Sequence, residues 1–414
     1  MENLNMLWFY LEPYVFISED SDAYLFYNAY TKKGISFFKN EMIDKVVKYL
    51  QYNGNFYSIR IGVKELYNEH LYNFIQSLQN AEFGDLIEGH LQKPIILPPV
   101  LNLQRSVENA KKYQRLLSDD ILSNLHDVTI YVNGQCKHNC KGCSTMYKQF
   151  TCCKKSNNSL DIKILNDFLY DIYSTGASIQ ITGGNIFQYP ELKKLFSLLE
   201  KRSSPPTFII NYRHIPEDSE LINLFNNKPL SFQISVNISF HEKSLLAISE
   251  RLLKKNINQI WDFCIKSISE YEKSERIVEQ LTERGIKVNI KPFYTGDNLD
   301  FFKDHVFIQH EDIMEIELDR QGVFALQKLN TNDFGKITIM TDGQVYANFN
   351  KESIGSIKEE IGEVLYRELM DGDSWRNTRY YIKPCNQCRF KLICPSQSNY
   401  ELVIGKHNLC HVMN

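Results

Sequence analysis

Three cysteines within eight residues, Cys136-Lys-His-Asn-Cys140-Lys-Gly-Cys143, directly follow the apolar and β-branched run Val128-Thr-Ile-Tyr-Val132. A loop of that length can wrap its sulfurs around one small inorganic centre. Soft thiolates select zinc, Cu(I) or iron–sulfur clusters, which narrows the metal class at once. Three thiols are one short of a closed four-ligand site. An iron–sulfur cube held at three corners leaves one iron free to bind a substrate.

The spacing resembles the signature of radical S-adenosylmethionine (SAM) enzymes. The resemblance implies a [4Fe–4S] cluster on Cys136, Cys140 and Cys143, with SAM chelated to the open iron through its amino and carboxylate groups. It further implies reductive cleavage of SAM to a 5′-deoxyadenosyl radical that abstracts hydrogen from unactivated C–H bonds. The electron would come from a flavodoxin- or ferredoxin-type reductant protein. No side chain of this chain is assigned a catalytic role by the motif.

Composition bounds the remainder. A chain of 414 residues is expected to form two or three domains. Its formal charge of −3 gives no basic footprint for nucleic acid and no strong attraction to a membrane. The N-terminus, Met1-Glu-Asn-Leu-Asn-Met-Leu-Trp-Phe-Tyr, lacks the basic region, apolar core and cleavage site of a secretory signal. No apolar run reaches the roughly 20 residues that span a bilayer. Ten cysteines without a signal, clustered at short spacings, point to metal binding in a reducing cytoplasm.

Residues 14–20 and 23–30 are aromatic and β-branched around Ser21-Asp22, which reads as a hairpin, extended by Gly34-Ile-Ser-Phe-Phe38. Asn40 is a candidate N-cap for a helix through Leu50, and a second helix, about 69–81, carries Leu71, Phe74, Ile75 and Leu78. Three strands followed by small helices resemble the PqqD-type leader-recognition domain, a winged-helix-like α+β module. There a leader peptide adds as a strand to an exposed sheet edge. The plain alternative is an accessory domain that covers the barrel. Pro94, Pro98 and Pro99 mark a linker.

The middle of the chain alternates helix and strand. Helical patterns run over Leu160–Tyr173, Glu191–Glu200 and Glu220–Asn226, strands over 178–182, 207–213, 231–238 and 287–293, and a long helical region extends to about 285. Such alternation implies a parallel sheet with right-handed crossovers. The resemblance implies a partial (β/α)₆ barrel with its chemistry at the C-terminal mouth of the strands. It places Gly183, Gly184 and Asn185 against the methionine end of SAM, with Asn185 standing where the family has Glu. Gly142 stands where many members have an aromatic that packs on SAM. Ser235 and Asn237 alternate on one strand face toward the SAM ribose, or else satisfy local hydrogen bonds. Cys152 and Cys153 are redox or hydrogen-donor thiols or incidental, and Cys264 is a core residue.

Near the C-terminus, Lys336–Tyr346 reads as a hairpin turning at Asp342-Gly343, followed by Cys385, Cys388, Cys394 and Cys410. In isolation a four-thiol set suggests zinc. The hairpin and spacing resemble the SPASM extension of radical SAM peptide maturases. Matched residue by residue, two thiols of that family's first auxiliary cluster fall at Asn348 and Ser398. The resemblance therefore implies one auxiliary [4Fe–4S] cluster, held by Cys385, Cys388, Cys394 and Cys410.

The resulting expectation is a leader-recognition domain over 1–95, a linker over 96–125, a radical SAM barrel over 126–325 and a SPASM-like unit over 326–414. Its function would be radical modification of a ribosomally made precursor peptide carrying a leader. Two rivals stand beside it. One is a degenerate fold that presents the peptide to a partner enzyme; the other is a zinc-stabilised binding protein.

Overall fold

A computed structural model describes residues 5–97, 121–202, 204–217, 219–237 and 240–412, together with Glu108 and Lys112. Most of the 96–125 segment, Pro98 and Pro99 included, and Ile238 lie outside the described residues.

Fifteen strands among the described residues form three sheets. The N-terminal part contains β1 (Met6–Leu11), β2 (Val15–Glu19), β3 (Ala23–Asn28), β4 (Lys33–Phe38), β5 (Ser58–Gly62) and β6 (Gly84–Glu88). The expected hairpin and its extension form the antiparallel sheet β2-β3-β4. A second sheet, β5-β1-β6, was not legible in the sequence. Asn40 does cap the helix Glu41–Gln51, its side chain accepting from the Ile43 N–H at 3.0 Å. Leu71, Phe74, Ile75 and Leu78 of the helix Glu69–Asn80 are buried with Phe9, Tyr24 and Phe26 in one apolar core.

The main sheet has nine strands. Six are parallel and adjacent in chain order: β7 (Asp127–Asn133), β8 (Ser178–Gly183), β9 (Thr207–Asn211), β10 (Ser231–Val236), β11 (Asn258–Ile265) and β12 (Lys287–Pro292). β13 (Lys336–Ile339) adds parallel to β7, and β14 (Gln344–Tyr346) and β15 (Gly355–Ser356) continue antiparallel. The segment past 326 thus shares the main sheet. β11 is a departure from the sequence reading, which ran helix across it. The helix Glu242–Lys254 ends at Lys255, Asn256 turns at φ 55°, and beyond it Ile257, Trp261, Phe263 and Ile265, all at odd positions, are buried in strand fashion.

The crossover helices Ile162–Asp171, Leu192–Leu199 and Glu242–Lys254 pack on one face of the sheet, as right-handed crossovers between successive neighbours require. That face is apolar: Val128, Ile130, Ile181, Phe208, Ile210, Phe232, Ile234, Trp261 and Phe263 are all buried in one core with Leu165, Leu195 and Leu245. The opposite face is polar. Thr129 bonds Gln180 at 3.2 Å, and Asp262 accepts from Gln233 at 2.6 Å and from Asn289 at 2.7 Å.

The sheet curls around its polar face. A flat sheet would set β7 and β12 about 24 Å apart, five strand spacings. Yet the short stretch 142–153 touches strands across the whole set. Tyr131 of β7 donates to the Cys152 carbonyl at 2.9 Å, and Asn237, just past β10, reaches Met146 Sδ at 3.6 Å. Cys264 of β11 and Phe293, just past β12, pack in one cluster with Met146 and Cys152. Gln149 clasps the Tyr294 backbone with two bonds of 2.8 Å. The concave side is therefore filled by the segment that follows β7.

Candidate metal centres

Cys136, Cys140 and Cys143 sit at the C-terminal ends of the parallel strands, on the loop leaving β7. The loop is shaped by backbone contacts that only glycine permits. Gly183 and Gly184 lie against the backbone of Asn133–Gln135, where an added Cβ would collide with the Asn133 and Gln135 carbonyl oxygens. The Gly184 N–H donates to Asn133 O at 2.7 Å, and the Asn185 N–H to Gln135 O at 2.6 Å. These bonds hold the end of β8 beside the first cysteine.

Gly142 adopts φ 82° and opens the one-turn helix Cys143–Met146. A Cβ at Gly142 would stand 2.5 Å from Cζ of Phe293. The space above Gly142 is thus already occupied by an aromatic ring delivered from the far end of the sheet.

All ten cysteines are free thiols. Cys140 is pushed up by burial and by the neighbouring Cys143 and Cys136 thiols, with Arg213 pulling it back. Cys136 Sγ is contacted by the His138 backbone N–H at 3.4 Å and by His214 Nε2 at 3.3 Å. His214 is buried and stacked on His138, and burial with His138 beside it lowers its pKa to about 4, so the ring is neutral near pH 7. His214 escaped the sequence reading; its only signal was a histidine three residues past a strand end.

A cleft of about 490 Å³ opens beside the loop, lined by Cys140, Cys143, His138, Tyr147, Lys154 and Lys155 among others. Lys154 lies 4.2 Å above the Tyr147 ring, and Lys155 donates to Asn139 at 3.1 Å. Of the residues expected to contact SAM, the Gly183 carbonyl accepts from Lys154 N–H at 2.8 Å and the Asn185 carbonyl from Asn133 at 3.0 Å. Asn185 Oδ1 caps the turn Ile186–Gln188 by accepting from Phe187 N–H at 3.1 Å. Only the Gly184 carbonyl of the three accepts no hydrogen bond among the described residues. Ser235 is buried and donates to Ile210 O at 3.3 Å, while Asn237 is half-buried and accepts from Asn211 at 2.7 Å. Cys152 is buried against Met146 and Phe293, and burial pushes Cys152, Cys153 and Cys264 up, so all three stay protonated thiols.

The second set lies in the C-terminal segment. Cys385 opens the turn Cys385–Gln387, Cys388 caps the turn Arg389–Leu392, and Cys394 follows. Cys410 is brought to them by pairing with Ile308, and it acts electrostatically on both Cys385 and Cys388. Arg379, buried and paired with Glu401 at 2.6 Å, points Nη1 at Cys385 Sγ from 3.6 Å. A buried guanidinium aimed at sulfur suits a thiolate at that position. Burial pushes Cys388 up to about 11 and Cys394 up to about 12, so in the free protein both are thiols that a metal must deprotonate. Among the described residues, no three His, Cys, Asp or Glu side chains gather tightly enough to grip a single ion. The donor chemistry of both sets, sulfur only, fits an iron–sulfur group.

The two positions matched to missing thiols, Asn348 and Ser398, are brought near one another through Asn399. Asn348 donates to both oxygens of Asp333 at 3.0 Å and to Asn399, the neighbour of Ser398, at 2.7 Å. Ser398 caps the helix Asn399–Ile404 in a reciprocal box with Glu401. Burial pushes the Asp333 carboxyl up to about 7; Glu368 adds to the rise, while the Asn348 bond, Lys336 and Lys351 oppose it.

No protein-family model matches the sequence. No curated protein matches it either. Solved structures are similar to it in part. Streptococcus suis SuiB bound to S-adenosylmethionine is 13% identical over 97% of each chain, with a TM-score of 0.47. Streptococcus suis SuiB bound to precursor peptide SuiA is 14% identical over 97% of this chain and 98% of that one, with a TM-score of 0.45. Native anSMEcpe with bound AdoMet and Cp18Cys peptide is 12% identical, covering 68% of this chain and 92% of its own, with a TM-score of 0.46.

Proposed function

We propose that this chain is a radical SAM enzyme that modifies a ribosomally synthesised precursor peptide. The observation that carries the reading is the placement of Cys136, Cys140 and Cys143. They stand at the C-terminal mouth of a curled, six-stranded parallel sheet, beside a cleft of about 490 Å³. A [4Fe–4S] cluster held by Cys136, Cys140 and Cys143 would supply the one-electron reduction that radical SAM chemistry on a peptide C–H bond requires.

The chain's own residues do the rest. The three thiolates hold the cluster and leave one corner open. Gly184 offers its carbonyl to the SAM ammonium, and Asn237 faces the same mouth. Phe293, Met146 and Cys152 keep water from the concave side behind the cluster loop. Cys385, Cys388, Cys394 and Cys410 hold a single auxiliary cluster with no open corner, which serves electron transfer or structure. The amides around Asn348 take the place of a second one.

The leader adds along β4. That strand is the edge of the sheet β2-β3-β4, while β2 at the other edge lies against the turn Arg389–Leu392 through Phe16, Phe390 and Leu392. β4 carries Phe38, 80% exposed, beside unpaired backbone groups that favour β-augmentation. The division into 1–95, 96–125, 126–325 and 326–414 belongs to the same reading, as do a flavodoxin- or ferredoxin-type reductant and a reducing compartment for the ten thiols.

One observation favours the peptide-presenting rival: the Gly183 and Asn185 carbonyls and Asn185 Oδ1 already have internal partners. Anaerobic reconstitution followed by iron, sulfide and zinc analysis separates the readings. Two [4Fe–4S] clusters per chain are expected, one lost when Cys136, Cys140 and Cys143 become Ala and the other when the C-terminal four do. Zinc in both sites would contradict the proposal. Co-incubation of loaded protein, SAM and precursor peptide should then change the peptide's mass; a loaded protein that binds the peptide unchanged is the rival's signature.

A further inference from the structure

We infer that His214 is a positioning residue of the three-cysteine centre. Its Nε2–H donates to the Cys136 thiolate and would make the cluster held there easier to reduce. The inference rests on the cluster assignment above and extends it to a residue outside the cysteine motif.

Three observations converge on it. First, the hydrogen bonding of the thiols is lopsided. Cys136 Sγ receives the His138 backbone N–H at 3.4 Å and meets His214 Nε2 at 3.3 Å, whereas no N–H reaches Cys140 or Cys143 Sγ among the described residues. Second, His214 is 5% exposed, and its Nδ1 has no hydrogen-bond partner among the described residues. Buried polar atoms are rarely left so. A neutral imidazole owns one N–H, and a metal-bound cysteine is a thiolate that only accepts. The proton therefore belongs on Nε2, and Nδ1 is left as a bare lone pair. Third, the ring is held in place from two sides. It stacks on His138 with centroids 5.5 Å apart and planes 14° from parallel. Its turn, Tyr212–His214, is fixed by Asn211 Oδ1 accepting from the Arg213 N–H at 3.1 Å. Asn211 is itself buried and tied to Asn237.

Hydrogen bonds to a cluster's sulfurs withdraw charge from them, stabilise the reduced state and raise the reduction potential. An imidazole N–H on the Cys136 thiolate would add to that effect at the three-cysteine centre. Removing it should leave the cluster assembled but harder to reduce.

The test is a redox titration of reconstituted full-length protein, followed by electron paramagnetic resonance, on the parent chain, His214→Leu and His214→Gln. The catalytic centre is recognised by the change of its signal on adding SAM. The expected result is unchanged iron and sulfide content, a more negative midpoint in His214→Leu, and recovery toward the parent in His214→Gln, whose amide restores an N–H. At limiting reductant, 5′-deoxyadenosine formation by His214→Leu should fall about tenfold. An unmoved midpoint in His214→Leu would overturn the inference. So would loss of iron from His214→Leu, which would make the ring a ligand or a fold element. A parent chain that assembles no cluster at Cys136, Cys140 and Cys143 would instead refute the underlying assignment, an outcome visible before any variant is compared.

Discussion

Gly142 meets two constraints at once, neither of which a side chain could satisfy. Its φ of 82° lies in the left-handed region, and Phe293 occupies the position of any Cβ. Gly142→Ala should cost about 1–2 kcal/mol in backbone strain alone. It should also displace the ring, lowering the melting temperature and the iron retained per chain. Adding Phe293→Leu relieves the collision but not the strain, so the double variant should recover part of the loss. From the sequence, Gly142 was legible only as an aromatic position left vacant. That an aromatic 151 positions later (293 less 142) fills the space is a long-range fact that no local pattern encodes. Asp333 gives a pH signature at the same scale. Its folded pKa of about 7 exceeds the ordinary 3.8, so the folded state holds a proton that the unfolded state has released. Stability should therefore be fullest below pH 3.8 for this group and be lost as pH rises to about 7. Thermal melts of wild type and Asp333→Asn across that range should converge in slope above it, with the variant lacking the decline.

At the scale of elements, strong periodicity was readable and context was not. The hairpin over 15–28, the helix capped by Asn40 and five of the six parallel strands all follow from local pattern. β11 was hidden because Asn258–Ile265 lies between two helices, with only Asn256 at φ 55° to separate it from the first. β1, β5 and β6 were missed for another reason: their pairing joins residues 48 or more positions apart. Among the site elements, the cysteine loops were legible from spacing, whereas the packing of Gly183 and Gly184 on Asn133–Gln135 was not. The edge strand β4 carries a prediction of its own. Phe38→Ala should weaken binding of a leader peptide by about 1.5 kcal/mol or more, roughly tenfold or beyond, because it removes an exposed ring that the added strand would cover. Fluorescence anisotropy with the labelled leader reads the loss. SAM cleavage without peptide should be unaffected, since β4 is remote in sequence and core from the cluster loop.

Across the whole molecule, the C-terminal cysteine segment ties the ends of the chain together. Phe390, Leu392 and Ile393 pack against Phe16, Leu25 and Tyr27 of the N-terminal sheet. Arg389, between two of the cysteines, pairs with Asp20 at 2.8 Å, both side chains mostly buried. On the other side, Tyr400 donates to the Pro292 carbonyl at the end of β12 with a bond of 2.8 Å. Asp20→Ala leaves the mostly buried Arg389 guanidinium without its carboxylate and should cost about 1.5–3 kcal/mol. Hydrogen exchange should then quicken in β2 and in 389–394 together, while β7–β12 keep their protection. This arrangement, in which the metal-bearing segment is also the seat of the N-terminal sheet, was invisible in the sequence because it joins the two termini. The cysteine loop that follows β7 is tested most directly by cleavage of SAM. Anaerobically reconstituted protein, given SAM and a strong reductant, is assayed for 5′-deoxyadenosine by mass spectrometry, with Cys136→Ala as the control. Formation by the parent chain and none by the variant is the expected result. No 5′-deoxyadenosine from a parent chain whose cluster is fully loaded would contradict the enzyme and leave a peptide-presenting protein in its place.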